Sequence, residues 1–331
     1  LAVADLHADT LLWQRDLLTR HTRGHLDVPR MQAGGIKLQV FSLVSAVPFG
    51  FNIHRTEEAF DSVAALAILQ RWPRNTWNDP AARALYQIQR LDAAVAASDA
   101  RLVLVRSARD LSDAAREGRI GVLLALEGTQ PLGRHAANFA KFFAAGVRMV
   151  GLAHFTDTAF AGSAHGRERH GLTVEGRLLL HEIETRRAIV DLAHASPKTF
   201  DAVMRLAQRP VVVSHTGVRA TCDNPRNLSD AQLRTLARNG GLVGIGFWDT
   251  ATCGEDASAI ARAIRHAATV MGVEHVGLGS DFDGTTRVPF DAAGLPLLTE
   301  ALLKVGFTPD EIRRIMGANV QEFLWRQLPP E

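Results

Sequence analysis

Eight short apolar runs, rich in valine, isoleucine and leucine and separated by longer stretches with helical spacing, constrain this chain more than any other feature. They cover residues 3–7, 36–45, 120–127, 147–154, 188–194, 210–215, 241–247 and 275–281. Near-continuous apolar runs suit strands covered on both faces, as in a parallel sheet wrapped by helices. Helical patterns at 138–145, 174–187, 197–208, 229–239, 257–271, 296–304 and 309–325 fill most of the intervals. Ser196-Pro197, Ser229 and Thr308-Pro309 place a capping residue before three of them.

The interval from Ala46 to Arg119 is too long for one crossover helix. Its patterns at 56–71 and 81–97 predict a helical hairpin, followed by a short strand at 102–105 and a further helix. No repeat, low-complexity tract or hinge divides the 331 residues, so the expectation is one α/β domain over 1–331. Its architecture is a closed (β/α)8 TIM barrel with a helical insertion between strands 2 and 3. No GxGxxG follows an early strand, which removes the main sign of dinucleotide binding.

The formal net charge is +2, with no basic run or aromatic-basic interleaving, so a small molecule is expected as partner and no nucleic acid. No apolar run approaches the roughly 18–20 residues that span a bilayer, and no membrane contact is expected. The cytoplasm is the expected location, although a start at Leu1 leaves a removed signal peptide open. Cys222 and Cys253 are too few for a disulfide framework, and two buried thiols are favoured over a bond between them.

Most of the runs end in a residue that can bind metal or move a proton: His7 and Asp9, Glu127, His154, His194, His215 and Asp281. The carboxyl ends of barrel strands surround one mouth, so these groups converge. His7 and Asp9, two apart, can share a face and a metal ion. Imidazole with carboxylate suits zinc or a similar first-row ion, in an open site able to activate water. A pair of ions needs a bridging anion. None of the four lysines ends a core run, which disfavours a carbamylated lysine and makes Glu127 the natural candidate for the bridge. Asp5 reads as a supporting hydrogen-bonding group, Asp283 and Gly284 as turn-shaping residues, His165 and His170 as solvated or loop-fixing, and Arg219 as a surface residue.

At these residues the chain resembles the membrane (renal) dipeptidase family of zinc metallopeptidases, within the amidohydrolase superfamily. The carriers are Asp5-Leu6-His7-Ala8-Asp9-Thr10-Leu11, Leu126-Glu127-Gly128, Leu152-Ala153-His154, His170-Gly171-Leu172-Thr173, Asp191-Leu192-Ala193-His194, Ser214-His215, Pro225-Arg226-Asn227-Leu228 and Gly279-Ser280-Asp281-Phe282-Asp283-Gly284. The resemblance implies two zinc ions, one on His7 and Asp9, the other on His194 and His215, bridged by Glu127 and a water or hydroxide. It further implies that Asp281 relays the proton, that His154 steadies the oxyanion and that Arg226 binds the substrate carboxylate. A dipeptide substrate follows, L-Xaa-D-Xaa among the candidates, and a homodimer is an assembly open to the chain. The sequence lacks the lipid-anchor tail and the disulfide cysteines of the animal members and is similar to soluble bacterial ones. Hydrolysis of a cyclic amide, lactone or N-acyl amino acid is the alternative, and a metal- or peptide-binding barrel without turnover is a third reading.

Overall fold

The computed structural model describes residues 1–57 and 60–331. Nine parallel strands form one sheet: β1 (Val3–Ala8), β2 (Ile36–Val44), β3 (Leu102–Leu104), β4 (Ile120–Glu127), β5 (Val147–Gly151), β6 (Ile189–Asp191), β7 (Val212–Thr216), β8 (Leu242–Ile245) and β9 (Val276–Leu278). Their order is β2-β1-β9-β8-β7-β6-β5-β4-β3, and β2 also pairs with β4 from Leu38↔Gly121 to Val44↔Glu127. That pairing closes eight strands into the expected (β/α)8 barrel and leaves β3 as a short strip along the start of β4.

Burial on both faces explains the unbroken apolar runs. The outer face packs against the helices through a core that includes Phe41, Leu124, Val190 and Val213 with Ile183, Phe200, Leu233, Ile260 and Leu298. A second cluster joins Leu6, Val40, Ala125, Met149, Ile189, Val212 and Leu242, contributed by strand after strand, to Val320, Phe323 and Leu324 of the last helix. That helix runs from Pro309 and contains a π-helical turn at Arg314–Ala318. There a Cβ on Gly317 would lie 2.2 Å from the carbonyl oxygen of Ala2, so only glycine lets the helix press on the start of β1.

Capping follows the sequence expectation. Ser196 accepts from the backbone of Thr199, and Ser229 with Gln232 and Thr308 with Glu311 form reciprocal capping boxes. The insertion holds helices Ser62–Leu69 and Pro80–Ala96, with a further helix, Ala108–Arg116, after β3. Of the helical pattern expected over 56–71, residues 58 and 59 lie outside the described residues. A short helix, Val28–Ala33, fills the β1–β2 interval, where the spacing was too brief to signal it. Among the described residues no helix is long and apolar enough to cross a membrane.

Two expectations need correction. Strands β5, β6 and β9 stop at Gly151, Asp191 and Leu278, short of His154, His194 and Asp281, because the apolar run continues into the turn after the ladder ends. The cysteines are not free thiols: Cys222 and Cys253 form a disulfide with Cα atoms 5.2 Å apart. It joins the loop after β7 to the loop after β8, and Asn227 reinforces the junction by donating to the carbonyls of Cys222 (2.7 Å) and Ala251 (3.0 Å). Closing a span of 31 residues is worth about 3–4 kcal/mol in the chain-entropy view. A Cys222→Ser, Cys253→Ser variant is therefore expected to melt several degrees lower by calorimetry, and reduction of the native protein should reproduce the shift; equal melting temperatures would show that Asn227 alone suffices.

Candidate functional site

The predicted residues meet at the carboxyl end of the barrel. Ligand atoms of His7, Asp9 and Glu127 lie within 4.8 Å of one another, as do those of Glu127, His194 and His215, and those of His7, His215 and Asp281. Glu127 Oε1 sits 3.2 Å from His194 Nε2, 3.3 Å from His154 Nε2, 3.5 Å from His215 Nε2 and 3.6 Å from His7 Nε2. Its second oxygen accepts from Ser42 Oγ at 2.9 Å.

Local backbone geometry aims these groups. His194 and Asp281 each lie three residues beyond a strand and take left-handed φ values of 61° and 59°, a conformation costly for non-glycine residues and concentrated at functional sites. The register of β1 shifts between Asp5 and Ala8, and that of β7 between Val213 and Thr216, so His7 and His215 stand at irregular points of their strands. Such shifts re-aim side chains. Asp9 has already left β1, with φ −96° and ψ 22°. His7 and Asp9 thus converge, 3.3 Å apart, through a strand end and not through regular alternation.

The hydrogen bonds fix tautomers. His165 Nδ1 faces the carbonyl of Ile53 (2.9 Å) and so carries the proton, leaving its Nε2 to accept from His194 Nδ1 (3.1 Å). Ser214 Oγ donates to Asp191 (2.6 Å) and therefore accepts from His215 Nδ1 (2.9 Å). Both Nε2 atoms are then lone pairs, and they face each other at 3.0 Å. That contact is repulsive unless a cation lies between, and two imidazole nitrogens on one tetrahedral zinc stand roughly 3.3 Å apart. The buried atoms His7 Nε2 and Asp9 Oδ1 likewise have no hydrogen-bond partner. The donor set fits a pair of divalent cations.

The charges agree. Burial, with the charge of Glu127 next, pushes the Asp9 carboxyl up to about 6. Burial and then the charge of Asp9 push Asp281 well above the usual carboxylate range. Burial acts to raise Glu127 too, but the imidazoles of His154 and His7 hold it well below that range. Burial first, with Arg226 contributing to each, lowers His194 and His215 strongly, so both are neutral as metal binding requires. Three buried carboxyl groups crowded together are the environment a cation relieves.

Arg226 donates one N–H to the carbonyl of His215 (2.6 Å), and its Cζ lies 5.7 Å from the ring of Trp248. Burial lowers it to about 10, so it is charged at neutral pH. With His154, His194, His215 and Asp281 it borders a cavity of about 410 Å³, large enough for a small substrate. The supporting expectations divide. Asp5 accepts from Gln39 and from the backbone and hydroxyl of Ser280, as anticipated. Asp283 holds its turn by accepting from Thr10 Oγ1 and the backbone of His25. Arg219 stays outside the cavity, donating to the Asn227 carbonyl. His165 is fully buried behind His194, contrary to the solvated reading, and the glycine- and charge-rich loop around it held no signal of that. Ser42 was also missed, and Asp191 and Ser214, quoted only within motifs, had been given no role; the adjacency of Ser214 to His215 was the available hint.

A family model described as membrane dipeptidase (peptidase family M19) matches residues 1–327. Among curated relatives, dipeptidase aclJ of Aspergillus oryzae is 35% identical over 62% of this chain and 51% of its own length. Dipeptidase verJ of Clonostachys rogersoniana is 32% identical over 66% and 58%. The chain thus spans little more than half the length of these relatives. Among solved structures, a metallopeptidase described as dipeptidase AC superposes with TM-score 0.82 at 26% identity, covering 99% of each chain. A metallopeptidase from Rhodobacter sphaeroides, liganded with a phosphinate mimic of the dipeptide L-Ala-D-Ala, gives TM-score 0.81, 26% identity and 99% of each chain.

Proposed function

This chain belongs to the membrane dipeptidase family, peptidase family M19, and from that premise we propose that it hydrolyses dipeptides, L-Xaa-D-Xaa substrates among them, as a zinc-dependent dipeptidase. The observation that carries the reading is the pair of imidazole lone pairs opposed at 3.0 Å beside a buried carboxylate whose oxygen meets four imidazoles. Two zinc ions would be held by His7 and Asp9 on one side and His194 and His215 on the other, with Glu127 between. When bound, they supply the positive charge that acidifies water and polarises the peptide carbonyl.

The remaining chemistry falls to the side chains. Arg226 grips the carboxylate of the second residue, which its planar fork fits in two places, and its burial excludes competing water. Asp281, raised by burial, takes a proton from the attacking water and returns it to the leaving amine. His154 borders the cavity beside Glu127 and faces the carbonyl oxygen as negative charge develops. Requiring a free carboxylate one residue past the scissile bond confines cleavage to the last peptide bond of a short substrate. The phosphinate bound by the Rhodobacter sphaeroides protein supports the L,D stereochemistry. A disulfide such as Cys222–Cys253 is a bond that persists in oxidising surroundings and is rare where glutathione keeps thiols reduced.

The test is kinetic. Arg226→Ala is expected to raise KM for free dipeptides by about 30-fold or more, the usual scale for removing one partner of a buried charge pair, with a smaller change in kcat. Dipeptide amides should be poor substrates of both forms. Wild-type protein equally fast on dipeptides and their amides, or a variant with unaltered KM, would overturn the assignment.

A further inference from the structure

The cavity has two chemically different walls, set opposite each other by the topology. Around the closed barrel three strands separate β7 from β2 in either direction, so the loop after β7, with Arg226, lies diametrically across from the end of β2. Arg226 and Trp248 border the first wall. The second is built from Leu12 and Trp13 after β1, Val44 and Val47 at and beyond the end of β2, and Val63 and Leu66 of the inserted helix Ser62–Leu69.

These six residues also belong to a small apolar cluster apart from the main core, backed by Ala67 and Trp72. The cavity wall is the open face of that cluster. On the lining, Trp13 Nε1 is engaged elsewhere, donating to the carbonyl of Asp283 (2.7 Å), and the carbonyl of Leu12 accepts from Gln70 Nε2 (3.1 Å). Among the described residues of this part of the lining, Ser62 is the polar side chain apart from Asp9, which belongs to the carboxylate-imidazole cluster. Among the described residues that build this wall, a charged group docked here would lose water and gain no partner.

Two extended residues reach about 7 Å. A dipeptide whose carboxylate is held by Arg226 and whose peptide bond lies at the cluster around Glu127 therefore carries its first residue onward, toward β1, β2 and the inserted helix. Resting on the dipeptidase reading, we infer that this wall is the subsite for the side chain of the amino-terminal residue, and that the enzyme selects dipeptides beginning with a large apolar residue such as leucine or phenylalanine. The insertion thus sets specificity while the barrel supplies the chemistry.

The experiment compares kcat/KM of the zinc-loaded protein for L-Leu-D-Ala, L-Phe-D-Ala, Gly-D-Ala, L-Asp-D-Ala and L-Lys-D-Ala. Leucine and phenylalanine in first position are expected to exceed glycine and aspartate by about 10- to 100-fold, the range a buried apolar side chain supports. Leu66→Asp, with zinc content and melting temperature measured as controls, should compress the Leu/Gly ratio toward one and favour L-Lys-D-Ala relative to L-Leu-D-Ala. Leu66→Ala, a milder change, should shift the preference from leucine toward phenylalanine. Ratios within about threefold across the wild-type panel, or a preference for a charged first residue, overturn the subsite alone. Hydrolysis of no dipeptide by the zinc-loaded wild type overturns it together with the dipeptidase reading.

Discussion

Asp281→Asn is expected to lower kcat by about 10²–10⁴-fold, the contribution of a positioned acid-base group, while KM and zinc content stay close to wild type. Asparagine keeps the shape of the side chain and tolerates the left-handed backbone at φ 59°, but it cannot take up a proton. The surroundings are built to hold a proton acceptor here. Burial and the neighbouring Asp9 raise the carboxyl, and a Cβ on Gly284 would come within 2.1 Å of Asp281 Oδ1 and 3.0 Å of Asp9 Oδ2. Glycine at 284 thus lets the turn pass close over both carboxylates, a steric role beyond the turn shape expected from sequence. Asp281 Oδ1 is also 3.9 Å from His7 Nε2, and the group clusters with His7 and His215. Metal analysis separates the roles: loss of an ion along with turnover would make Asp281 a ligand first, and undiminished kcat would remove it from the reaction.

The second large effect is expected at Glu127. Glu127→Gln keeps the volume and an oxygen for the hydroxyl of Ser42, but it removes the charge at the meeting point of four imidazoles. Zinc affinity should fall by at least about 100-fold, beyond the usual effect of an outer-shell change, and turnover by on the order of 10³-fold or more, since the loss includes several kcal/mol of transition-state stabilisation. Chelation of the wild type should have the same consequence and be reversed by zinc. A fully active Glu127→Gln protein, or activity indifferent to complete metal removal, is incompatible with the proposed centre. Melting of the metal-free forms guards against misfolding: Glu127 is the last residue of β4, whose pairing with β2 is a backbone ladder that the substitution leaves intact.

The legible part of the site was its composition. His7, Glu127 and His215 fall within strands, and the groups beyond strand ends lie close enough that locating an apolar run also located its functional residue. Less legible was everything that depends on a neighbour from elsewhere in the chain. His165 is 29 residues from His194, and the carbonyl of Ile53 that orients it is 112 residues away. No local pattern marks a histidine as the fixer of another's tautomer. The cysteine expectation failed for a related reason: two cysteines 31 residues apart carry no sign of their spatial separation, which depends on how the loops after β7 and β8 pack.

Apolar periodicity and the residues at the ends of each run determined, without coordinates, a barrel with a mouth of imidazoles and carboxylates, because burial on both faces and the common direction of parallel strands are consequences of composition along the chain. The folded molecule alone decided where each ladder stops, which residues turn left-handed to face the centre, and that one cavity wall is apolar and the other cationic. Those features arise from backbone hydrogen bonds and packing between segments far apart in sequence, whose free energy is absent from any single stretch of residues.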